Sequence, residues 1–333
     1  MKQNPIRLKD YLNDETNKSF KILITAVSYE KRGISSVRSI INNLEIEKAI
    51  LILFNGKNYL SNKLQEKWEE QKKHLINIFK ENKIEYIEFA CDSVFFYDSI
   101  EKIIEFVGHE LPIVINITTL PKNYILRFAK DFDNEQNIFY YHRTVYRKPT
   151  KDELNIGIRE IVPIEGFEGF MELNKEDLLV LILGYEGHRA LSFISKFSSY
   201  RILPLISIPN EGNSMEDKLF YENDIFCNKN LLRKHSVLKN KDETFYTISS
   251  LNHINFYIEL ESIIEDYIRN NKDNICISPM GTRAQTLGLY LYWRKHPEIQ
   301  IVYSVPIERF SIAVADGESE GWIYKLPSMG NKK

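Results

Sequence analysis

Two stretches of this chain place anion-holding side chains directly after an apolar run. In the first, Ile113-Val114-Ile115-Asn116-Ile117 leads into Thr118-Thr119-Leu120-Pro121-Lys122. In the second, Asn274-Ile275-Cys276-Ile277 leads into Ser278-Pro279-Met280-Gly281-Thr282-Arg283, and Ser278 stands 160 positions after Thr118. Hydroxyls and backbone N–H groups at a helix start, with a lysine or arginine beside them, suit an anion because the donors and the helix dipole point the same way. Phosphate is the first anion to test. The same hydroxyls also serve as plain helix caps, and for Thr118 and Ser278 the sequence leaves both readings open.

A second pair of polar clusters follows the first apolar run of each half. Ser28-Tyr29-Glu30-Lys31-Arg32 is matched by Gly184-Tyr185-Glu186-Gly187-His188-Arg189, with Tyr185 standing 156 positions after Tyr29. Glu30 and Glu186 are candidates for general acid–base work, with His142 or His188 assisting. They also read as local ion pairs with Arg32 and Arg189.

The elements that must position these residues alternate in type. Lys21–Val27, Ala49–Phe54, Ile84–Ala90, Ile113–Ile117 and Asn137–Val145 read as strands, being short apolar runs rich in β-branched residues. Between them, Ile34, Val37, Ile40 and Leu44, then Leu60, Leu64, Trp68 and Leu75, then Phe95–Val107, then Ile125, Phe128 and Phe132 mark helices. Pro121 fits a first helical turn, where its missing N–H costs nothing. The second half repeats the order with Leu178–Leu183, Arg201–Ile208, Glu243–Ile248, Asn274–Ser278 and Ile299–Val302 as strands. This predicts an α/β protein of two tandem Rossmann-like domains related by duplication, each a mostly parallel, doubly wound sheet. The glycine-rich Glu165-Gly166-Phe167-Glu168-Gly169 puts the expected junction between residues 168 and 169.

In such sheets ligands sit beyond the carboxyl ends of the strands. Those ends carry Ser28, Tyr29, Glu30, Asn55, Asp92, Asn116, Thr118, Thr119, His142 and Arg143 in the first half. In the second they carry Gly184, Tyr185, Glu186, Asn210, Ser278, Gly281, Thr282, Tyr303 and Ser304, with Arg189 close by.

Composition narrows the class. A chain of 333 residues, 43% hydrophobic and 27% charged, is ordinary for a soluble globular protein of two domains. A formal net charge of -2 argues against a surface that coats long nucleic acid. The three cysteines, Cys91, Cys227 and Cys276, have no paired spacing, so neither a disulfide framework nor a cysteine zinc site is expected, and a reducing cytoplasm is. Residues 1–20 are too polar for a secretory signal, and the longest apolar stretch, Leu178–Leu183, is too short to span a bilayer. Neither the Gly-x-Gly-x-x-Gly nor the Gly-x-x-x-x-Gly-Lys-Ser/Thr fingerprint occurs, nor His-Glu-x-x-His or a calcium loop. No cofactor and no metal are expected.

Asn116-Ile117-Thr118-Thr119-Leu120-Pro121-Lys122 resembles the Asp/Asn-x-Ser/Thr-x-x-x-Lys/Arg motif on the fourth strand of the CARF family, the CRISPR-associated Rossmann-fold domains. The second copy departs from that motif, with Cys276 in place of Asp/Asn and Arg283 one residue late. The resemblance implies binding of a cyclic oligonucleotide by paired domains, here the two halves of one chain acting as a pseudo-dimer in microbial antiviral defence. It implies Thr118, Lys122, Ser278 and Arg283 at a shared pocket. It also implies that any cleavage would be metal-independent, using the ligand's 2′-hydroxyl with Lys122 or Arg283 against the phosphate. Two other readings remain. One is a metal-independent enzyme on a small nucleotide or phosphorylated metabolite, using Glu30 or Glu186; the other is a non-catalytic interaction module with a separately encoded partner.

Overall fold

The computed structural model describes residues 4–14, 18–54, 62–92, 94, 97–146, 157–184, 187–196, 201–208, 245–268, 273–307 and 315–328. Asn55, Tyr185, Glu186 and Asn210 lie outside the described residues, as do Cys227 and the side chain of His188.

Short β-branched runs become strands here because both faces are covered by helices, which leaves no room for polar alternation. In chain order the first elements are β1 (Ile6–Arg7), α1 (Leu8–Asp14), β2 (Ser19–Ala26), α2 (Arg32–Asn43), β3 (Glu45–Phe54), α3 (Asn62–Glu81), β4 (Glu85–Cys91), α4 (Tyr97–Val107), β5 (Ile113–Asn116), α5 (Lys122–Asp131) and β6 (Ile138–Tyr146). Then come β7 (Ile158–Pro163), β8 (Asp177–Leu183), α6 (Gly187–Lys196), β9 (Arg201–Ile208), β10 (Tyr246–Ser249), α7 (His253–Ile268), β11 (Asn274–Pro279), α8 (Arg283–Lys295), β12 (Gln300–Pro306) and β13 (Ala315–Tyr324).

Two sheets result, ordered β1-β13-β6-β5-β2-β3-β4 and β10-β9-β8-β11-β12-β7. Five strands of each, β2 to β6 in the first and β8 to β12 in the second, share one order. Counted within each half, both run third, second, first, fourth, fifth, and each of these neighbouring pairs is parallel. This is the Rossmann-like arrangement the alternating elements predict, in which the strand order reverses beside the first strand and opens a crevice at the carboxyl ends.

The first unit comprises residues 1–145 with 311–333, and the second residues 146–310. The expected cut at 168/169 therefore differs from these units at both ends. β7 lies before that cut, yet it pairs antiparallel with β12 through Val302–Pro163 and Ser304–Ile161, closing an edge of the second sheet. β13 lies at the far end of the chain, yet it sits between β1 and β6 in the first sheet. Each addition caps a fifth strand whose backbone groups would otherwise form an open edge.

One face of the first sheet buries Leu23, Leu51, Val114 and Tyr140 against Val37 and Ile40 of α2 and Leu75 and Phe79 of α3. The opposite face takes α5, where the Tyr124 ring stands edge-on to Phe54 at 4.9 Å. In the second unit Leu179, Leu181 and Val302 pack on Ala190 and Phe193 of α6.

Candidate functional site

The centre of the first unit's strand ends is Asn116, a fully buried side chain at the end of β5. Its Nδ2 donates to Ser36 Oγ of α2 at 2.8 Å and to Thr25 Oγ1 of β2 at 3.1 Å, and its Oδ1 accepts from the Thr118 N–H at 3.2 Å. A buried amide is costly unless its donors and acceptor are matched, and here one side chain ties two strands and a helix together. The chain then turns through Ile117–Pro121 into α5. Thr118 is also fully buried, and its Oγ1 accepts from the backbone N–H of His142 at 2.9 Å. Thr119 is half-buried and its hydroxyl donates to the Ala26 carbonyl at 3.3 Å.

Thr118 is thus not the cap of α5. The N-cap position is held by Pro121, which has no side-chain cap bond, and Lys122 is the first residue of the helix. The physical reason is spacing. The strand ends at Asn116, and five residues of turn separate it from the helix, so the Thr118 hydroxyl is spent on β6 rather than on the first turn.

The loop after β2 meets the same place. Ser28 Oγ accepts from the Glu30 N–H at 3.2 Å, and the Glu30 carboxylate accepts from Arg32 Nε in a half-buried ion pair. A Cβ on Gly33 would stand 3.5 Å from Thr119 Cγ2, ordinary contact, so the two loops lie side by side. His142, 6% exposed, has Nδ1 2.9 Å from Tyr140 Oη. Asp92 caps a turn through Val94 N at 2.7 Å, and its carbonyl accepts from Tyr124 Oη. The structure therefore brings Ser28, Tyr29, Glu30, Asn116, Thr118, Thr119, Lys122 and His142 to one end of the first sheet. Glu30 as a general base would first have to leave Arg32.

The second unit is built differently at the same end. If Tyr185 is set against Tyr29, Leu181 falls on Thr25. Ile24 pairs with Ile115, so Thr25 and Asn116 come one residue later, while Leu181 itself pairs with Ser278. Ser278, not Cys276, occupies the position of Asn116, which corrects the sequence correspondence of Ser278 with Thr118. Arg283 is the first residue of α8, as Lys122 is of α5, so its apparent lateness is a turn shorter by one residue. Cys276 lies fully buried within the sheet, its thiol pushed far up by burial and by the nearby Asp177.

Ser278 is 1% exposed, and its Oγ has no hydrogen-bond partner among the described residues. Thr282 is the N-cap of α8 in a full capping box. Its side chain accepts from Gln285 N at 3.2 Å, while Gln285 Oε1 accepts from Thr282 N at 2.7 Å. Gln285 also donates from Nε2 to Ser207 Oγ and to the Ser249 carbonyl, each at 2.9 Å. Thr282 Oγ1 donates to the Ser250 carbonyl. Gly184 is required by close approach, since a Cβ there would stand 2.6 Å from the Met280 carbonyl oxygen. Gly281 likewise faces Gln285 Oε1 at 2.0 Å from the position of a Cβ. Arg189 Nη2 donates to the Ser304 carbonyl at 2.7 Å and to Ser304 Oγ at 2.9 Å.

Sequence reading missed Ser36, Ser207, Ser249 and Gln285. Of these, Gln285 had a signal, because Thr282-Arg283-Ala284-Gln285 is a capping-box pattern. Among the described residues no group of His, Cys, Asp and Glu could hold a metal ion, and no helix is long and apolar enough to cross a membrane.

No family model and no curated protein matches the sequence. A solved structure does, described as that of a Type III CRISPR defence DNA nuclease activated by cyclic oligoadenylate. The TM-score is 0.54 at 9% identity, over 86% of this chain and 65% of the nuclease. The chain thus spans about two thirds of that protein's length, and at this identity the likeness is one of fold.

Proposed function

We propose that this protein is a nucleotide-binding sensor of a CRISPR-related defence system, taking a cyclic oligonucleotide at the strand ends of its first unit. The observation that carries the reading is the Asn116 strut. It fixes the turn so that Thr119 is held beside the loop that follows β2, and the turn ends at Lys122, the first residue of α5. A phosphate is favoured there by the Lys122 charge and by the helix dipole together. The fold likeness to a nuclease activated by cyclic oligoadenylate supports the choice of ligand class.

In this reading Thr118 shapes the turn, and Lys122 meets the phosphate. In ring opening the ligand's own 2′-hydroxyl attacks the adjacent phosphorus to form a 2′,3′-cyclic phosphate, the bond to the 5′-oxygen breaks and that oxygen takes up the proton released by the 2′-hydroxyl, with Lys122 stabilising the charge that develops on phosphorus-bound oxygen. The shared strand order and the cation opening both α5 and α8 support an origin by tandem duplication. The halves have since diverged, because the capping box of Thr282 and Gln285 already serves the start of α8.

The test is equilibrium binding of cyclic oligoadenylates of several ring sizes to the full chain. Loss of one charge-assisted contact of about 1.5–3 kcal/mol predicts a fall of about 10- to 100-fold in affinity for Lys122→Ala. Unchanged affinity in that variant would remove the site.

A further inference from the structure

Arg143, in the last residues of strand β6, is held in an unusual way. Its guanidinium carbon lies 3.7 Å from the centroid of the Trp322 ring, and its Nη2 is 3.5 Å from Tyr324 Oη. Both aromatic residues belong to β13, the strand that the C-terminal segment contributes to the first sheet. Three other arginines of low exposure are held by carboxylates, Arg32 by Glu30, Arg127 by Glu101 and Asp131, and Arg201 by Asp273, while Arg189 donates to Ser304. Among the described residues no carboxylate pairs with Arg143, and its buried Nε has no hydrogen-bond partner. Stacking on rings orients a guanidinium without neutralising it, so its in-plane donors keep their charge for something else.

The placement says what that is. Tyr140 and His142 point to the face of the sheet covered by α2, as the packing of Tyr140 with Val37 and Ile40 shows. Side chains alternate along a strand, so Arg143 lies on the other face, which is the face of α5. The backbone of its neighbour His142 is bound to Thr118, in the turn that leads to Lys122. Arg143 and Lys122 thus belong to the same face and the same end of the first sheet. Trp322 also carries Arg7, ion-paired with Glu320, whose guanidinium carbon lies 5.5 Å from its centroid.

We propose that Arg143 is a phosphate-binding residue of the first unit's site, and that Trp322 is the positioning residue that aims it. The C-terminal strand is then part of the binding site as well as the edge of a sheet. This rests on reading the first unit as a nucleotide site and adds to it the residue that recognises the anion in a planar, two-pronged manner.

The test is calorimetric titration of the full chain with two separate probes, inorganic pyrophosphate and a cyclic oligoadenylate. Arg143→Gln weakens both at least 10-fold with an unchanged melting temperature, Arg143→Lys lies between, and Trp322→Leu weakens both about 3- to 10-fold while Trp322→Phe recovers most of the affinity. A parent chain that binds pyrophosphate through Arg143 but no cyclic oligoadenylate upholds the anion site and sinks the sensor reading. Arg143→Gln binding pyrophosphate as the parent does, with or without a lower melting temperature, overturns the proposal. A parent that binds neither probe overturns both. If Arg143→Gln fails to fold, the Trp322→Phe and Trp322→Leu pair decides, and equal affinity in the two rules out a positioning role.

Discussion

Asn116 Nδ2 donates to Ser36 Oγ at 2.8 Å, joining the end of β5 to the first turns of α2 across 80 residues of chain. Ser36 passes the link on, donating to the Gly33 carbonyl at 2.8 Å. The two loops that form the first unit's site are therefore not independent.

Asn116→Ala leaves Ser36 and Thr25 without that donor and frees the Thr118 N–H in a fully buried place. An unmatched buried group costs about 1–3 kcal/mol, so the loss in unfolding free energy is about 2–4 kcal/mol. Urea unfolding checks it, and a change below about 0.5 kcal/mol would show that the strut carries nothing.

Gln285 predicts a parallel effect in the second unit. Gln285→Ala removes the acceptor for Thr282 N and the donor to Ser207 and the Ser249 carbonyl, all within a buried network. The expected cost is about 2–4 kcal/mol, whereas Gln285→Glu, which keeps the capping-box acceptor, keeps the α8 start in place. Amide exchange of the first turn of α8 distinguishes the two: faster in Gln285→Ala, near the parent rate in Gln285→Glu.

Glu261 supplies a pH signature. Burial alone would push its carboxyl up, but the hydrogen bond and charge of Lys295, with His296 adding to them, outweigh burial and hold its pKa below the usual carboxylate value. A depressed folded pKa means that the contribution to stability is present above the ordinary carboxylate range and is lost as pH falls through the lowered value. Unfolding midpoints measured across the acid range in parent and Glu261→Gln therefore converge as the pH drops. A gap that stays constant with pH would contradict this.

Much of the fold was legible because buried parallel strands leave a plain signal. Leu178-Leu179-Val180-Leu181-Ile182-Leu183 has no polar residue, and six of the seven residues of β8 are buried. β13 gave no such signal. Ala315–Tyr324 reads Ala-Asp-Gly-Glu-Ser-Glu-Gly-Trp-Ile-Tyr, a polar run whose strand character comes from its neighbours β1 and β6. The residue types of the site were visible, but their roles were not. For Thr118 the sequence leaves a helix cap and an anion donor both open, and its partner is instead the His142 N–H of β6, while the ring that Arg143 stacks on, Trp322, comes from the far end of the chain. A constant sequence offset sets Ser278 against Thr118, whereas pairing register sets it against Asn116, and Arg283 follows Ser278 one residue sooner than Lys122 follows Asn116.

The central claim is that the first unit's strand ends hold a cyclic oligonucleotide through Lys122 and Arg143. Its most direct test is the affinity of the full chain for cyclic oligoadenylate in the parent, in Lys122→Ala and in Lys122→Ala with Arg143→Gln. The account predicts measurable binding, a fall of about 10- to 100-fold in the first variant and a further fall in the second. Binding that is equal in all three, or a parent that retains none of these rings, would contradict it.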